Sequence, residues 1–338
     1  MISHSMPWII EDDIKSVQKS ITEKQLSQGR YADFFSTMLK EYTESNYCQL
    51  VDSGSRAIQL ALSILGIKNL DEVILPSYVC PSVLDAVLSL HATPVICDTG
   101  EYWNMTAETV KSCISPKTKA IIVVHVFGIV VDNSLFKDFN IPIINDFCQC
   151  LIKPSRFNLN KADNSISVYS FQATKCISTG EGGAIAFDFA LYYEKLTEFS
   201  KLSFGSFTDI QAVLGISQLN RYEKALELRN AIAIKYIQGI KSFLTEKFVS
   251  VFDFSICYRF LISKDSLDFE SIKNRFAKKG IHIRHGVDTL LHRQLYLRDE
   301  DFVNSVKSFN NTISLPIYPG LNNDEIIYII QNVNEILS

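Results

Sequence analysis

From position 49 onward the apolar residues come in short continuous runs, and each run is followed by a stretch of helical period. The runs at 49–52, 72–76, 94–97, 120–126 and 142–145 have the length and composition of buried strands. Between most of them, 56–65, 82–89, 107–113 and 135–138 place apolar side chains on one helical face. Continuous apolar strands alternating with helices predict a mainly parallel sheet covered on both faces. Ahead of this array, 10–25 and 32–46 read as amphipathic helices separated by Gly29-Arg30-Tyr31. Beyond it a helical stretch spans 209 to about 240. A strand at 256–263, a helix at 269–279, a strand at 282–285 and a closing helix at 324–336 then suit a small α+β unit. The expected division is a large unit, 1–235, including the N-terminal helices, and a small C-terminal unit, 236–338.

Composition narrows the classes. The chain has 338 residues, 47% hydrophobic and 21% charged, which suits a packed globular protein. A net charge of −4 gives no basic footprint for nucleic acid. No apolar run reaches membrane-spanning length, and the N-terminus lacks a signal-peptide pattern. The eight cysteines are scattered, without a Cys-x-x-Cys pair, as expected of reduced thiols in a cytoplasmic protein. His282, His285 and His292 have no metal-site spacing, so no metal is expected.

The chemistry gathers around 165–187, SISVYSFQATKCISTGEGGAIAF. A strand ends at Ser170-Phe171, Lys175 follows, and a Gly-Glu-Gly-Gly turn (180–183) leads into an apolar strand at 184–187. A lysine held between buried strands must be neutral or paired. That arrangement suits an amine of lowered pKa that forms a Schiff base with an aldehyde, although a lone lysine after a strand is more often a solvated charge.

In an open parallel sheet, ligands lie beyond the carboxyl ends of the strands. The first such end runs into Ser53-Gly54-Ser55 and a helix start. Gly54 and Ser55 would form a phosphate cradle there, or the serine would be a plain cap. In IPIINDFCQC, Asp146 ends an apolar strand and would serve a protonated pyridine nitrogen, or cap a turn. Gln149 could offer its amide to the same ring. Ser170 could reach the phosphate, and LPSYVCPS could lay a side chain over the ring.

A phosphate cradle, an acidic strand end and a lysine recur together in pyridoxal-phosphate enzymes of aspartate-aminotransferase type. With VDSGSRAIQLAL, DEVILPSYVCPSVLDAVLSLHATPVICD, AIIVVHVFG, IPIINDFCQC, YSFQATKCISTGEGGAI, FTDIQAVLGISQL and ISLPIYPGL, the chain resembles the DegT/StrS family of sugar aminotransferases along nearly its whole length. The segment around Lys175 is the most specific. The resemblance implies an α/β, type I pyridoxal-phosphate transferase fold, with a mostly parallel seven-stranded sheet and a small C-terminal unit.

It further implies that Lys175 forms the Schiff base with pyridoxal 5′-phosphate, Asp146 pairs with the ring nitrogen, and Gln149 contacts the ring oxygen region. Gly54, Ser55 and Ser170 would hold the phosphate. The implied reaction transfers an amine, from glutamate, to a nucleotide-linked keto sugar within a homodimer. Two positions depart from the family pattern. Cys80 stands where an aromatic residue usually covers the ring, with Tyr78 as the substitute, and Phe204 stands where a partner-subunit asparagine usually meets the phosphate. Arg284, His285 and Tyr318 fall where the small unit would face substrate, and His125 is expected to pack near the cofactor floor. The alternatives are a sugar dehydratase on the same scaffold, against which Lys175 argues because those relatives carry histidine there, and a non-catalytic cofactor-binding regulator.

Overall fold

The computed structural model describes the chain except residues 101, 158, 160–163, 200–204, 241–243, 245–248, 250, 251 and 266. Phe204 therefore lies outside the described residues. The apolar runs form β1 (Tyr47–Val51), β2 (Glu72–Pro76), β3 (Thr93–Cys97), β4 (Thr118–Val124), β5 (Ile143–Asp146), β6 (Ile166–Ser170) and β7 (Gly183–Phe187). They make one sheet in the order β1-β7-β6-β5-β4-β2-β3. The ladders from β6 through β5, β4 and β2 to β3 are parallel, and β7 is antiparallel to both of its neighbours, β1 and β6. Hydrogen bonding holds β7 in register with both, so Gly183 faces Val51 on one side and Ser170 on the other. A Cβ at Gly183 would stand 2.5 Å from the Ser53 carbonyl oxygen, which is why the turn closes on glycine.

Helices cover both faces. α1 (Glu11–Thr22) and α2 (Arg30–Tyr42) precede the sheet. Interspersed with the strands are α3 (Gly54–Ile64), α4 (Pro81–Leu88), α5 (Ala107–Lys111) and α6 (Ala190–Phe199). α7 (Asp209–Asn220) and α8 (Tyr222–Gly239) follow. Residues of α3 and α4, among them Ala57, Leu60, Val83 and Val87, share one buried core with Val73, Ile122, Ile144 and Ile185 of the strands. On the opposite face Phe35, Leu39, Ala212, Leu219 and Tyr222 join Tyr169, Ala184 and Ala186. The alternation of strand side chains thus feeds two cores at once. Buried Asp209 ties α7 to the start of α2, accepting from the Gly29 and Ala32 N–H groups at 2.9 Å each. Arg221, at the break between α7 and α8, pairs with buried Asp13 of α1 at 2.5 Å and lies over Trp8.

The C-terminal part carries β8 (Phe260–Ser263), α9 (Phe269–Lys278), α10 (Leu291–Gln294), α11 (Val303–Asn311), β9 (Thr312–Leu315) and α12 (Asn323–Leu337). Its core joins Phe260, Ile262, Phe276, Ile313, Leu315, Ile329 and Val333 with Ile232 and Tyr236 of α8. α8 therefore serves two cores, since its Tyr222 and Leu226 belong to the sheet side.

Three expectations are corrected here. The strand expected at 282–285 is a single bridge, Arg284 to Ser314, and the ladder partner of β8 is β9. The strand expected at 256–263 is regular only from Phe260, because Cys257 takes φ 53° and turns the chain before it. The helix at 135–138 is a 3₁₀ turn, Asn133–Phe139. Hydrophobic period alone does not resolve such local geometry.

Candidate active site

Local chain geometry delivers the polar residues to one place. Ser53 caps α3 with its hydroxyl oxygen, which accepts from the Arg56 N–H at 3.2 Å. The N–H groups of Gly54 and Ser55 belong to the first helical turn and lie outside the intrahelical ladder, at the positive end of the helix dipole. Gly54 is buried, and a Cβ there would meet Ser170 Cβ at 2.8 Å and Cys148 Sγ at 2.9 Å. The helix start, the end of β6 and the loop after β5 thus converge on one cradle, and only glycine leaves it open. An adjoining pocket is lined by Phe147, Cys148, Gln149, Ser170, Lys175 and Cys176.

Asp146 ends β5 with 3% of its surface exposed. Burial pushes its carboxyl above the usual range, against the opposing pull of the Cys148 groups and Lys175. The Cys148 N–H donates to it at 2.8 Å. A carboxylate so buried needs a cationic partner to stay ionised.

Lys175 is half-buried. Desolvation lowers its amine, but the Tyr258 phenol, the Cys148 and Cys80 thiols and the Asp146 carboxylate outweigh that and hold it above its ordinary value. In the chain alone these neighbours offset the burial that would otherwise lower the amine. The Nζ atom stands 5.7 Å from the Tyr258 ring centroid.

Gln149 is oriented by its Oε1, which accepts from the Phe127 N–H at 2.6 Å. That leaves the amide nitrogen as the end with hydrogens to give. Phe127 adopts φ 62°, a left-handed conformation unusual for a phenylalanine, at the turn after His125. His125 is fully buried and stacks on Phe147 at 3.9 Å. Its Nδ1 accepts from the Val131 N–H at 3.0 Å, and burial lowers its pKa to about 3. It is a neutral structural ring beside the pocket.

The residues present fit pyridoxal 5′-phosphate. The cradle that a methyl group would fill suits a phosphate, a buried acid without an ion-pair partner among the described residues suits a ring nitrogen, and the amine stands near both. Of the two ring-covering candidates, Cys80 is close enough to raise Lys175, whereas Tyr78 is withdrawn. Tyr78 is wholly buried against Phe127, at 5.9 Å edge-on, and its hydroxyl would meet a Cβ placed on Gly286 at 2.1 Å. Apolar burial in the core outcompetes the pocket for that ring.

The three substrate candidates are not brought to the pocket. His285 is sandwiched between Phe269 at 3.4 Å and Phe309 at 4.7 Å. Tyr318 is buried in the C-terminal core. Arg284 is paired with Asp288 at 2.7 Å on an exposed surface. Sequence reasoning missed Cys148, Tyr258 and Arg259. The available signal for Arg259 was a lone arginine inside the apolar run ICYRFLIS. Among the described residues no group of three histidine, cysteine or acidic side chains could hold a metal, and no helix is long and apolar enough to cross a membrane.

A lysine, a buried acid and a glycine cradle at the carboxyl ends of a seven-stranded mixed sheet define a pyridoxal-phosphate-dependent transferase of the type I fold. The model of the DegT/DnrJ/EryC1/StrS aminotransferase family matches residues 7–334, and the chain belongs to that family. It is 26% identical to GDP-perosamine synthase of Escherichia coli O157:H7, over 92% of each chain. The fold is that of Helicobacter pylori PseC, an aminotransferase involved in pseudoaminic acid biosynthesis, with TM-score 0.86, 22% identity and coverage of 99% and 98%. NtdA of Bacillus subtilis, solved with bound cofactor PMP, superposes with TM-score 0.86 at 22% identity, covering 97% of this chain and 83% of that one. The protein is thus a pyridoxal-phosphate-dependent sugar aminotransferase, an enzyme that takes a sugar and an amino donor.

Proposed function

We propose that the chain transfers an amine from glutamate to a nucleotide-linked keto sugar, for amino-sugar or cell-surface polysaccharide biosynthesis in the cytoplasm. The observation that carries this reading is the convergence of Lys175, buried Asp146 and the open cradle at Gly54.

In this reading the Gly54 and Ser55 N–H groups and the Ser170 hydroxyl hold the phosphate at the start of α3. Asp146 faces the ring nitrogen and holds a proton there, which also satisfies its own buried charge. The Gln149 amide, fixed by Phe127, donates to the ring oxygen region. The bound cofactor supplies an electron sink for the pair left when the amine-bearing carbon loses its proton. The Lys175 amine would take that proton and give it to the carbon on the cofactor side of the nitrogen. Its neighbours favour the protonated form in the chain alone, and the donor amine, on displacing Lys175 from the cofactor, would release it as a free base.

Two further readings rest on the same geometry. The two cores joined by α8 support a large unit, 1–235, and a small unit, 236–338. Ile9, Ile14, Ile21, Leu26 and Phe34 are exposed apolar residues of the N-terminal segment, as a homodimer contact would use.

The test is spectral. Glutamate added to the cofactor-loaded protein is expected to convert the yellow aldehyde-bound form to the amine form with release of 2-oxoglutarate. A nucleotide-linked keto sugar is expected to reverse the change. A spectrum indifferent to glutamate and every other common amino donor would favour the regulator reading.

A further inference from the structure

Gln149 serves the site through the end of its amide that is left free, and a turn behind it decides which end that is. Phe127 donates its N–H to Gln149 Oε1 at 2.6 Å. A Gln149 amide turned over would set its own hydrogens against that N–H, donor against donor, so the Phe127 peptide selects one orientation. The selection holds only while that peptide keeps its direction. Phe127 takes φ 62° and Gly128 φ 81°, two left-handed residues in succession. A phenylalanine keeps such a conformation only where its surroundings over-determine it.

The Phe127 ring is held by Tyr78 and Trp103, edge-on at 5.9 and 5.8 Å, and by the Arg259 guanidinium 5.9 Å from its centroid. Trp103 is fixed in turn, because its Nε1 donates to the Thr312 hydroxyl at 3.1 Å. The backbone of the turn is closed by two hydrogen bonds of its own. Gly128 donates to the His125 carbonyl at 3.1 Å, and Ile129 donates to the Val126 carbonyl at 3.0 Å.

One side chain from a different loop bridges both ends of that turn. Asn104, in the loop after β3, accepts the Val126 N–H on Oδ1 at 3.1 Å and donates from Nδ2 to the Ile129 carbonyl at 3.4 Å. Asn104 is half-buried, and the Gly100 N–H donates to its backbone carbonyl at 2.7 Å, which closes its own loop. Val126 is wholly buried, so without Asn104 its N–H would lose its partner away from water. An orphaned buried N–H is costly, and the turn would shift to recover a partner. Phe127 is the next residue and would move with it.

We propose that Asn104 is a positioning residue for the cofactor: by bridging the Val126–Ile129 turn it keeps the Phe127 N–H on Gln149, and so keeps the Gln149 amide hydrogens available to the ring oxygen region. Asn104 does not line the pocket beside Lys175, and it acts through Val126, Phe127 and Gln149. This deepens the aminotransferase reading and rests on it for the contact between Gln149 and the cofactor. The turn sets the fraction of molecules whose Gln149 is correctly oriented, and apparent affinity falls with that fraction.

The test is a double-mutant cycle on the full chain, with pyridoxal 5′-phosphate affinity read by absorbance titration of Asn104→Ala, Gln149→Ala and the two combined. Gln149→Ala is expected to weaken the cofactor by about ten-fold or more, the scale of one hydrogen bond to a charged group. Asn104→Ala alone is expected to weaken it by about three- to ten-fold, but by less than about two-fold once Gln149 is alanine. A residue that only stabilises the fold would weaken the cofactor equally in both backgrounds. Asn104→Asp keeps the acceptor for the Val126 N–H, so its loss is expected to fall between the unmodified protein and Asn104→Ala. Equal losses in the two backgrounds, an Asn104→Ala protein within about two-fold of the unmodified one, or an Asn104→Asp loss as large as that of alanine overturns the proposal. Gln149→Ala without effect overturns it as well, by removing Gln149 from the site. Absence of turnover with glutamate counts against the aminotransferase reading alone, because the cycle is read from binding.

Discussion

A methyl group added at Gly54 enters the cradle where the cofactor phosphate is expected to lie. The new carbon would stand 2.8 Å from Ser170 Cβ and 2.9 Å from Cys148 Sγ. Both distances fall well inside the ~3.5–4.0 Å optimum for carbon contacts. Neither neighbour is the far end of a flexible chain, so the start of α3 must move. Such overpacking costs about 1–3 kcal/mol. Gly54 opens a helix without positive φ, so alanine regains up to about 1 kcal/mol of helix propensity. The cofactor-free chain should therefore lose only about 0–2 kcal/mol in Gly54→Ala, measured by urea unfolding.

Cofactor affinity is expected to fall further. Displacing even one N–H from the phosphate forfeits a charge-assisted hydrogen bond worth about 1.5–3 kcal/mol, or roughly ten- to 150-fold in dissociation constant. Pyridoxal 5′-phosphate titration followed by absorbance reads that loss directly. Adding Ser170→Gly to the variant removes the 2.8 Å contact and should recover stability but not full affinity, because the hydroxyl is gone too. A Gly54→Ala protein that binds the cofactor within three-fold of the unmodified chain would refute the cradle.

Borohydride reduction of the cofactor-loaded protein followed by peptide mapping is expected to label Lys175, and label on another lysine would reassign the site. Asp146→Asn should leave far-ultraviolet circular dichroism unchanged and slow transamination by about 10²–10³-fold, the scale of losing one preorganised electrostatic partner. Near-normal turnover would make Asp146 a structural cap. His125 gives a pH signature of stability: its folded pKa of about 3 lies below the ~6.5 of an unfolded histidine, so between those values the unfolded chain binds the extra proton. Stability from this ring is full above pH ~6.5 and falls with pH, by about 2 kcal/mol at pH 5. Denaturation curves of the unmodified protein and His125→Gln should diverge with that slope, and parallel curves would mean the ring charges without cost.

The sequence by itself determined the elements whose physics is local. Continuous apolar runs bounded by turns made β2, β4 and β5 legible, because burial on both faces leaves no alternation to misread, and the alternation of 166–171 marked β6. The chemistry at the strand ends was legible too. Asp146 stands one residue beyond an apolar run, Gly54 opens a helix, and Lys175 precedes a glycine turn that closes on Ser53. Only the tertiary structure decided which way the remaining side chains were drawn. Tyr78 and Cys80 are two residues apart, yet Phe127 and the space beside Gly286 take the tyrosine into the core and leave the cysteine near Lys175. His285 lies between Phe269 and Phe309, rings that no local pattern pairs. Arg259 and His4 reach Thr174 from distant parts of the chain, and the lysine is held above its ordinary value by groups from three separate segments. Periodicity fixes which face of an element is apolar, but the charge and company of a buried side chain depend on distant segments, and those meet only when the cores close.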